Sequence, residues 1–415
     1  MSALIIAALV AQVAAGAEPA PKTEEATNAR KVGQTTYLDV GAGAGYSSNP
    51  QLSVTSNSGR GYGRIDLHAV HSRISERSAT VVSAYASDEI YTSRYGSQPS
   101  LSLDAHQDSA VSEQLHIFGS LNASYDENGQ LDTRIIGGPA IPPLPGVPEV
   151  PPPQLIPSGS DFLSIRGKHY RIGGEGGGAL SLSARDNLNF SAGVDHEKFK
   201  SSLVSDTDFT RVQASAGYNR LLSAQTTVGG QVQFENTDYN GPSSFRLITP
   251  QLTATIRFSE HLTFTGAAGV SFASIDTGID TRHETGFSGQ ASLCSLSERG
   301  SICAHVRDDQ QAATTAGPAK TVSAGIDFSR RLTADSTIGL SVSGSHYSAP
   351  TSLVTGHVFS SSDYFHAAAS YSHGFGNRWF GGINLAARKV TQNGPDPNMD
   401  FDGSIFIRYR FGDLQ

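Results

Sequence analysis

Charged residues are scarce in this chain of 415 residues, since Asp, Glu, Lys and Arg together make up 16%. Typical soluble proteins carry about a quarter. The shortage excludes a long helical or coiled-coil protein, which would be rich in Glu, Lys, Ala and Leu. The formal net charge of -8, without a basic block, argues against nucleic acid as a partner. With 14 Tyr and 19 Phe, the composition is also unlike that of a disordered chain.

Long hydrophobic runs are missing as well. After the first residues, no apolar segment reaches the roughly 18 residues that a membrane-spanning helix needs. Residues 3–15 form a short apolar run followed by Ala15-Gly16-Ala17, a pattern typical of signal-peptide cleavage. We therefore predict a signal peptide over 1–17 and a flexible periplasmic N-terminus over 18–34. The remainder, 35–415, is predicted to form one domain in the cell outer membrane.

That remainder alternates apolar with small or polar residues, which is the period of a β-strand. In the segment 262–272, Leu, Phe, Gly, Ala and Val occupy one face, and Thr, Ala, Gly and Ser occupy the other. An apolar face so rich in Ala and Gly is poorly suited to fill the core of a soluble sandwich. It suits a wall that lipid covers on one side and water on the other. The pattern predicts an all-β fold, a closed antiparallel transmembrane β-barrel.

The connections between the predicted strands alternate between short turns and longer loops. Short periplasmic turns and longer extracellular loops are typical of outer-membrane barrels, which have an even number of strands. Counting segments gives roughly 18 strands, with both termini on the periplasmic side. The segment 161–185 leaves two readings open, one long strand with a Gly-rich bulge or two short strands. The final strand, 401–411, resembles the terminal strand that the barrel-assembly machinery recognises, so we expect that machinery and outer-membrane lipid as partners.

Two features stand outside the strand pattern. Cys294 and Cys303 flank a predicted turn at 297–300, which places them opposite each other and predicts a disulfide that staples one periplasmic hairpin. The loop 127–160 holds nine of the 19 prolines and is predicted to be extracellular, because proline removes backbone donors that a strand needs. The sequence leaves open whether this loop narrows the barrel mouth or forms an exposed partner-binding surface.

The polar face of the strands carries the candidate lumen-lining residues. They are Arg64, Asp66, His68, Asp104, His106, Arg166, Lys168, Asp195, Arg211, Glu235, Arg257, Asp327, Arg378, Arg388, Arg408 and Arg410. Arginines outnumber acids in this set, which predicts a lumen that favours anionic solutes or positions a saccharide by hydrogen bonds. The alternative is a salt-bridge lattice that stiffens the wall.

We expect no enzyme, no metal and no cofactor. Ser345-His346 and Ser372-His373 are adjacent on strands, so the two side chains of each pair point to opposite faces. The chain has no G-x-S-x-G or H-E-x-x-H motif. Its Gly-rich run at 173–178 is not followed by the Lys-Ser/Thr of a phosphate-binding loop.

The first predicted strand and its loop, YLDVGAGAGYSSNPQL, carry Gly45, Tyr46, Asn49 and Pro50. With the ladder of hairpins that follows, this stretch resembles the proteobacterial β-barrel porin 2 class, which is associated with exopolysaccharide loci. The resemblance implies an outer-membrane channel, with secreted polysaccharide or periplasmic export proteins as partners. It supplies no functional residues. The alternative is a non-conducting structural or adhesive barrel whose extracellular loops bind a partner.

Overall fold

The structure, a computed structural model, describes most of the chain from residue 33 onward. The described residues are 33–50, 52, 59–92, 96–127, 167–200, 207–240, 243–276, 278–313, 317–348, 361–392 and 399–413. In these ranges no helix is long and apolar enough to cross a membrane. The predicted signal peptide, most of the N-terminal segment and nearly all of the Pro-rich loop lie outside the described residues and stay predictions.

Eighteen strands account for nearly all of the described residues. They are β1 Gly33–Ser47, β2 Arg60–Ile74, β3 Ser78–Tyr91, β4 Ser97–Ala110, β5 Leu115–Glu127, β6 Lys168–Ser181, β7 Asp186–Lys200, β8 Thr207–Ser223, β9 Thr226–Tyr239, β10 Ser244–Arg257, β11 Leu262–Asp276, β12 Thr281–Ser297, β13 Gly300–Ala313, β14 Gly317–Arg331, β15 Ser336–Ser348, β16 Ser362–Gly374, β17 Trp379–Gln392 and β18 Asp400–Gly412. Each pairs antiparallel with its neighbour in the chain.

The sheet closes because β1 pairs with β18 as well as with β2. The closing register runs from Tyr37↔Gly412 to Ser47↔Asp402. The predicted fold class, a closed antiparallel barrel of about 18 strands, is confirmed. The described part of the ambiguous segment, 167–185, contains one strand, β6, whose Gly-rich run pairs with β5 and β7 in an unbroken register. Closure pairs the first strand with the last, as a wall in lipid requires, although the β12–β13 ladder ends at Gly289↔Asp308.

Several boundaries differ from the predicted ones. The turn predicted at Gln107–Ser109 follows Ala110 instead, since β4 continues through those residues. The predicted loops at 274–284 and 308–319 are much shorter, because β11 to β14 continue with polar residues on both faces. Strands of 13 to 17 residues exceed the 9–11 that cross a bilayer, so the wall extends beyond the apolar band.

The outward face of the wall is apolar and exposed. Leu252 is 76% exposed and Leu121 is 67% exposed. The inward face is mainly polar, with small apolar clusters among the described residues at the long-loop end. The largest contains Phe245, Leu247 and Ile275 on β10 and β11, and another contains Leu52, Tyr364 and Val390. The barrel therefore has no central apolar core, and its two faces correspond to the two faces of the sequence pattern.

Candidate functional site: the inner wall of the barrel

The inner wall carries most of the side chains that the sequence pattern assigned to the lumen. The strand registers and the alternation of burial place these residues inward: Arg64, Asp66, Asp104, Arg211, Glu235, Arg257, Arg388, Arg408 and Arg410. Two of the predicted lumen-lining residues do not lie on the inner wall. Lys168 points outward, because the inward residue at that end of β6 is His169, and Arg378 lies in the turn between β16 and β17. Arg166 lies outside the described residues.

The charge balance of the inner wall differs from the predicted excess of arginine. Inward acids in the described strands are Asp39, Asp66, Glu89, Asp104, Asp108, Asp126, Glu175, Asp195, Glu197, Glu235, Glu284, Asp309, Asp327, Asp400 and Asp402. Inward arginines there are fewer: Arg60, Arg64, Arg171, Arg211, Arg257, Arg282, Arg307, Arg331, Arg388, Arg408 and Arg410. The lysines of the described strands all face outward: Lys168, Lys198, Lys200, Lys320 and Lys389. The predicted excess of arginines over acids is therefore not found in this part of the wall, and the preference for anions that was inferred from it stays a prediction.

One group of ion pairs spans the seam where β1 meets β2 and β18. Arg410 donates two hydrogen bonds to Asp39, at 2.7 and 2.8 Å. Arg408 donates from Nε to Asp66 Oδ2 at 2.7 Å. Both acids are 2% exposed, so these pairs are shielded from bulk water. The arginines thus hold the first and last parts of the chain together on the inner side of the wall.

The Arg408–Asp66 pair crosses over β1, and Gly41 makes the crossing possible. A Cβ at Gly41 would lie 2.6 Å from Asp66 Oδ2 and 2.8 Å from Arg408 Cγ. Gly45 has the same role higher on β1, where Tyr62 donates to Asp402 at 3.0 Å. A Cβ at Gly45 would lie 2.5 Å from the Tyr62 hydroxyl. The alternating glycines of GAGAG therefore form an inward track that side chains of β2 and β18 bridge.

A second group of ionic side chains lies on β5 to β8. His169 contacts Glu197 at 3.3 Å, and Arg211 donates to Asp195 at 3.3 Å. Arg171 lies 3.4 Å from Glu197. Because arginines lie between the acids, these residues form a salt-bridge lattice in the wall. Such a lattice was the alternative that the sequence left open for the charged residues of the polar face.

Between these two groups, the inward faces of β8 to β13 present amide and hydroxyl side chains, which we call the amide track. Gln231 donates to Gln251 Oε1 at 2.7 Å, and Gln251 donates in turn to Ser288 Oγ at 2.9 Å. An inner recess of about 80 Å³ lies against this track. The recess is lined by Gln213, Gln233, Gln251, Ser288, Gln290 and Gln310, among others. The amides and hydroxyl groups of this surface donate and accept hydrogen bonds. Glu175, Glu235, Arg307 and Asp309 line the same recess and add charge beside them.

The Asn49-Pro50 pair lies in a turn folded toward the lumen. The Asn49 N–H donates to Asp400 Oδ1 at 2.8 Å, and Ser47 donates to the same oxygen at 2.7 Å. Arg388 pairs with the other carboxylate oxygen. Leu52 then packs against inward Tyr364 and Val390. The Asn49-Pro50 motif, which is part of the stretch that carried the family resemblance, therefore has a local role, since it anchors the first loop to the inner wall.

Cys294 and Cys303 form a disulfide across the β12–β13 hairpin. Both lie on inward positions at the short-turn end of the barrel. In the described residues neither cysteine is left as a free thiol. A bond at this place holds the base of the two strands together.

No family model matches the chain, and no curated protein matches it. Solved structures are similar to it over nearly its whole length. The ferric preacinetobactin receptor BauA from Acinetobacter baumannii is 11% identical, with a TM-score of 0.47, over 90% of this chain and 80% of that one. OccK2 from Pseudomonas aeruginosa, solved with glucuronate, is 8% identical, with a TM-score of 0.45, over 92% of this chain and 98% of that one. The likeness extends to the barrel fold alone and assigns no residue a role.

Sequence reasoning missed three parts of this wall. These parts are Asp39, Asp400 and the glutamines of the amide track. All lie on polar faces that the alternation of residues identified, but other, charged residues on those faces were proposed to line the lumen. The alternation of residues predicts which side chains point inward, as it did for Asp66. It does not predict which residue lies across the closed seam, because Asp39 and Arg410 are 371 residues apart in the chain.

Proposed function

We propose that the protein is an outer-membrane channel through which hydrophilic solutes diffuse along a polar lumen. The observation that carries the proposal is closure of 18 strands around an inner wall of charged, amide and hydroxyl side chains. Barrels of 16 to 18 strands leave an aqueous channel. The outward apolar band supports placement in a lipid bilayer, with the short turns on the periplasmic side.

We further propose a saccharide as the solute class, including an exported polysaccharide. Support comes from the amide and hydroxyl track, because Gln251 and its neighbours offer donors and acceptors that match sugar hydroxyl groups. An uncharged track lets a long solute move between equivalent hydrogen bonds without a strongly bound state. No catalytic step or cofactor belongs to this proposal.

Ion conductance of the purified protein in a planar bilayer tests the channel. We expect discrete conductance steps, and we expect maltooligosaccharides on one side to reduce the current at millimolar concentration. Replacing Gln251 by leucine should raise the saccharide concentration needed for half-maximal block roughly tenfold, because a buried amide pair is lost on the track. The outward Leu252→Ala variant is the matched control. Protein that folds but never conducts would support the adhesive alternative instead.

A further inference from the structure

The ladder between β12 and β13 ends well below the long-loop end of the barrel. Its last pair is Gly289↔Asp308, and both strands continue beyond that point. In this described part of the wall β12 continues to pair with β11, and β13 continues to pair with β14. The strand ends 309–313 and 317–321, which pair with each other, are therefore separated from β12. We call these two strand ends the flap.

The flap lies on the inner side of β11 and β12. Gln310 is the register partner of Lys320, whose side chain points outward, so Gln310 belongs to the outer face of the flap. Ser271 nevertheless donates to Gln310 Oε1 at 3.1 Å, and Gln310 donates to Glu284 Oε2 at 3.4 Å. Ser271 and Glu284 lie on the inner faces of β11 and β12. The outer face of the flap thus contacts the inner face of the neighbouring wall, because the flap is folded behind it.

Two longer-range observations agree with this inward position. Cα atoms of β14 lie within 8 Å of β10. Four strand spacings of about 4.8 Å would separate these strands by about 19 Å along the wall. Glu175 on β6 and Asp309 on the flap line the same recess of about 80 Å³, although seven spacings, about 34 Å, separate their strands along the wall. The flap therefore narrows the lumen against the amide track.

The surroundings of the flap allow it to move as a unit. His283 points outward beside it, and the ion pair of Asp308 with Lys320, at 3.3 Å, lies on the same outer side. This polar surface indicates contact with water, where backbone groups that leave a ladder can be solvated, as they cannot be in hydrocarbon. Asp309 pairs with Arg307 on its own strand. Movement of the flap therefore separates neither of these ion pairs.

A second arrangement of the flap is open to the same chain. Continuing the β12–β13 register would pair 284–288 with 309–313 and place Phe287 opposite Gln310. The two hydrogen bonds of Gln310 would be lost, and ladder bonds would form instead. Each hydrogen bond contributes little net stability, so a few contacts decide between the two arrangements. Such alternative packings of one segment are a recurring basis of gating.

We propose that the flap is a size gate of the channel. Folded inward, it restricts the lumen to small solutes, and paired with β12 it opens a mouth that admits a saccharide chain. The hydrogen bonds of Gln310 to Ser271 and Glu284 hold the inward state. The proposal rests on the proposed channel function, because a gate needs a conducting lumen, but the movement of the flap can be detected without any current.

Two cross-linked variants that share one cysteine test the gate. Gln310→Cys with Ser271→Cys holds the flap inward, and Gln310→Cys with Phe287→Cys holds it against β12. A short bifunctional thiol reagent joins each pair, and both native cysteines are protected in their disulfide. We expect the protein without cross-links to switch between two conductance levels in a planar bilayer. The inward lock should keep the lower level and the outward lock the upper one, roughly twofold apart, because a sheet layer about 10 Å thick leaves the mouth.

Liposome swelling with maltooligosaccharides of increasing length measures the size limit directly. The outward lock should admit longer chains than the inward lock. The control is the same reagent on Arg246→Cys with Ser274→Cys, which are direct partners in the ladder of β10 and β11. This cross-link should form readily and leave both conductance levels in place.

Formation of the cross-link between positions 287 and 310 reports the movement without current, because β12 lies between these side chains while the flap is inward. We expect it to form more slowly than the control cross-link and to reach completion. Failure of this pair to react, or equal conductance in both locks, would overturn the gate and leave the channel standing. A protein that forms every cross-link and never conducts would contradict the channel, and the gate with it.

Discussion

Replacing Gly41 by leucine is expected to destabilise the folded barrel by about 3–5 kcal/mol, the usual cost of breaking a buried ion pair. Any Cβ at this position would lie within 2.8 Å of both partners of the Arg408–Asp66 pair, so at least one of them must move. Displacement leaves a charge buried in the wall without its partner. The urea midpoint of unfolding in lipid vesicles measures the effect.

The matched control is Ala42→Leu, the next residue on β1, which points outward and is exposed. It should change stability by no more than about 0.5 kcal/mol, because it touches none of the seam pairs. A double-mutant cycle separates the bridge from general crowding. In an Asp66→Asn, Arg408→Met background the extra cost of Gly41→Leu should fall by at least half, because the ion pair is already gone. An undiminished cost there would assign the loss to crowding of the strands.

The strand period and the loop pattern were enough to predict the barrel and its strand count. Both are local properties, since each segment shows its two faces without reference to the rest. The glycines of β1 show the limit of that reasoning. Their alternation with alanine identifies an inward row, yet the need for glycine at position 41 depends on side chains from positions 66 and 408, which only closure brings together.

The charge of the lumen was misjudged for a related reason. The predicted charge relied on the arginines of the last strands, such as Arg408 and Arg410. It did not include the acids that pair with them. Asp39 and Asp400 are both nearly fully buried beside these arginines. A wall of paired ions contributes little net field, so the unpaired residues decide which ions the lumen favours.

The described inner wall carries more acids than arginines, and this excess is expected to make the proposed channel prefer cations. Asp104, Asp108 and Glu175 belong to the excess, because they point inward and form no ion pair in the described structure, whereas most inward arginines lie beside an acid. A negative potential of about one kT in the lumen raises the ratio of cation to anion permeability several-fold. We therefore expect the reversal potential in a KCl gradient to show K⁺ favoured over Cl⁻, most clearly at low salt, where screening is weakest.

Removing the three unpaired acids should abolish most of this preference. In the variant Asp104→Asn, Asp108→Asn, Glu175→Gln, the remaining inward acids and arginines are nearly equal in number, so the permeability ratio should approach one. The substitutions keep side-chain size and break no recorded ion pair, so the barrel should fold as before. Asp238→Asn on the outward face of β9 removes the same kind of charge from the other side of the wall and should leave the ratio unchanged. An anion preference in the unaltered protein would instead mean that the arginines of β17 and β18 dominate the field despite their partners, and would return the selectivity to the prediction made from sequence.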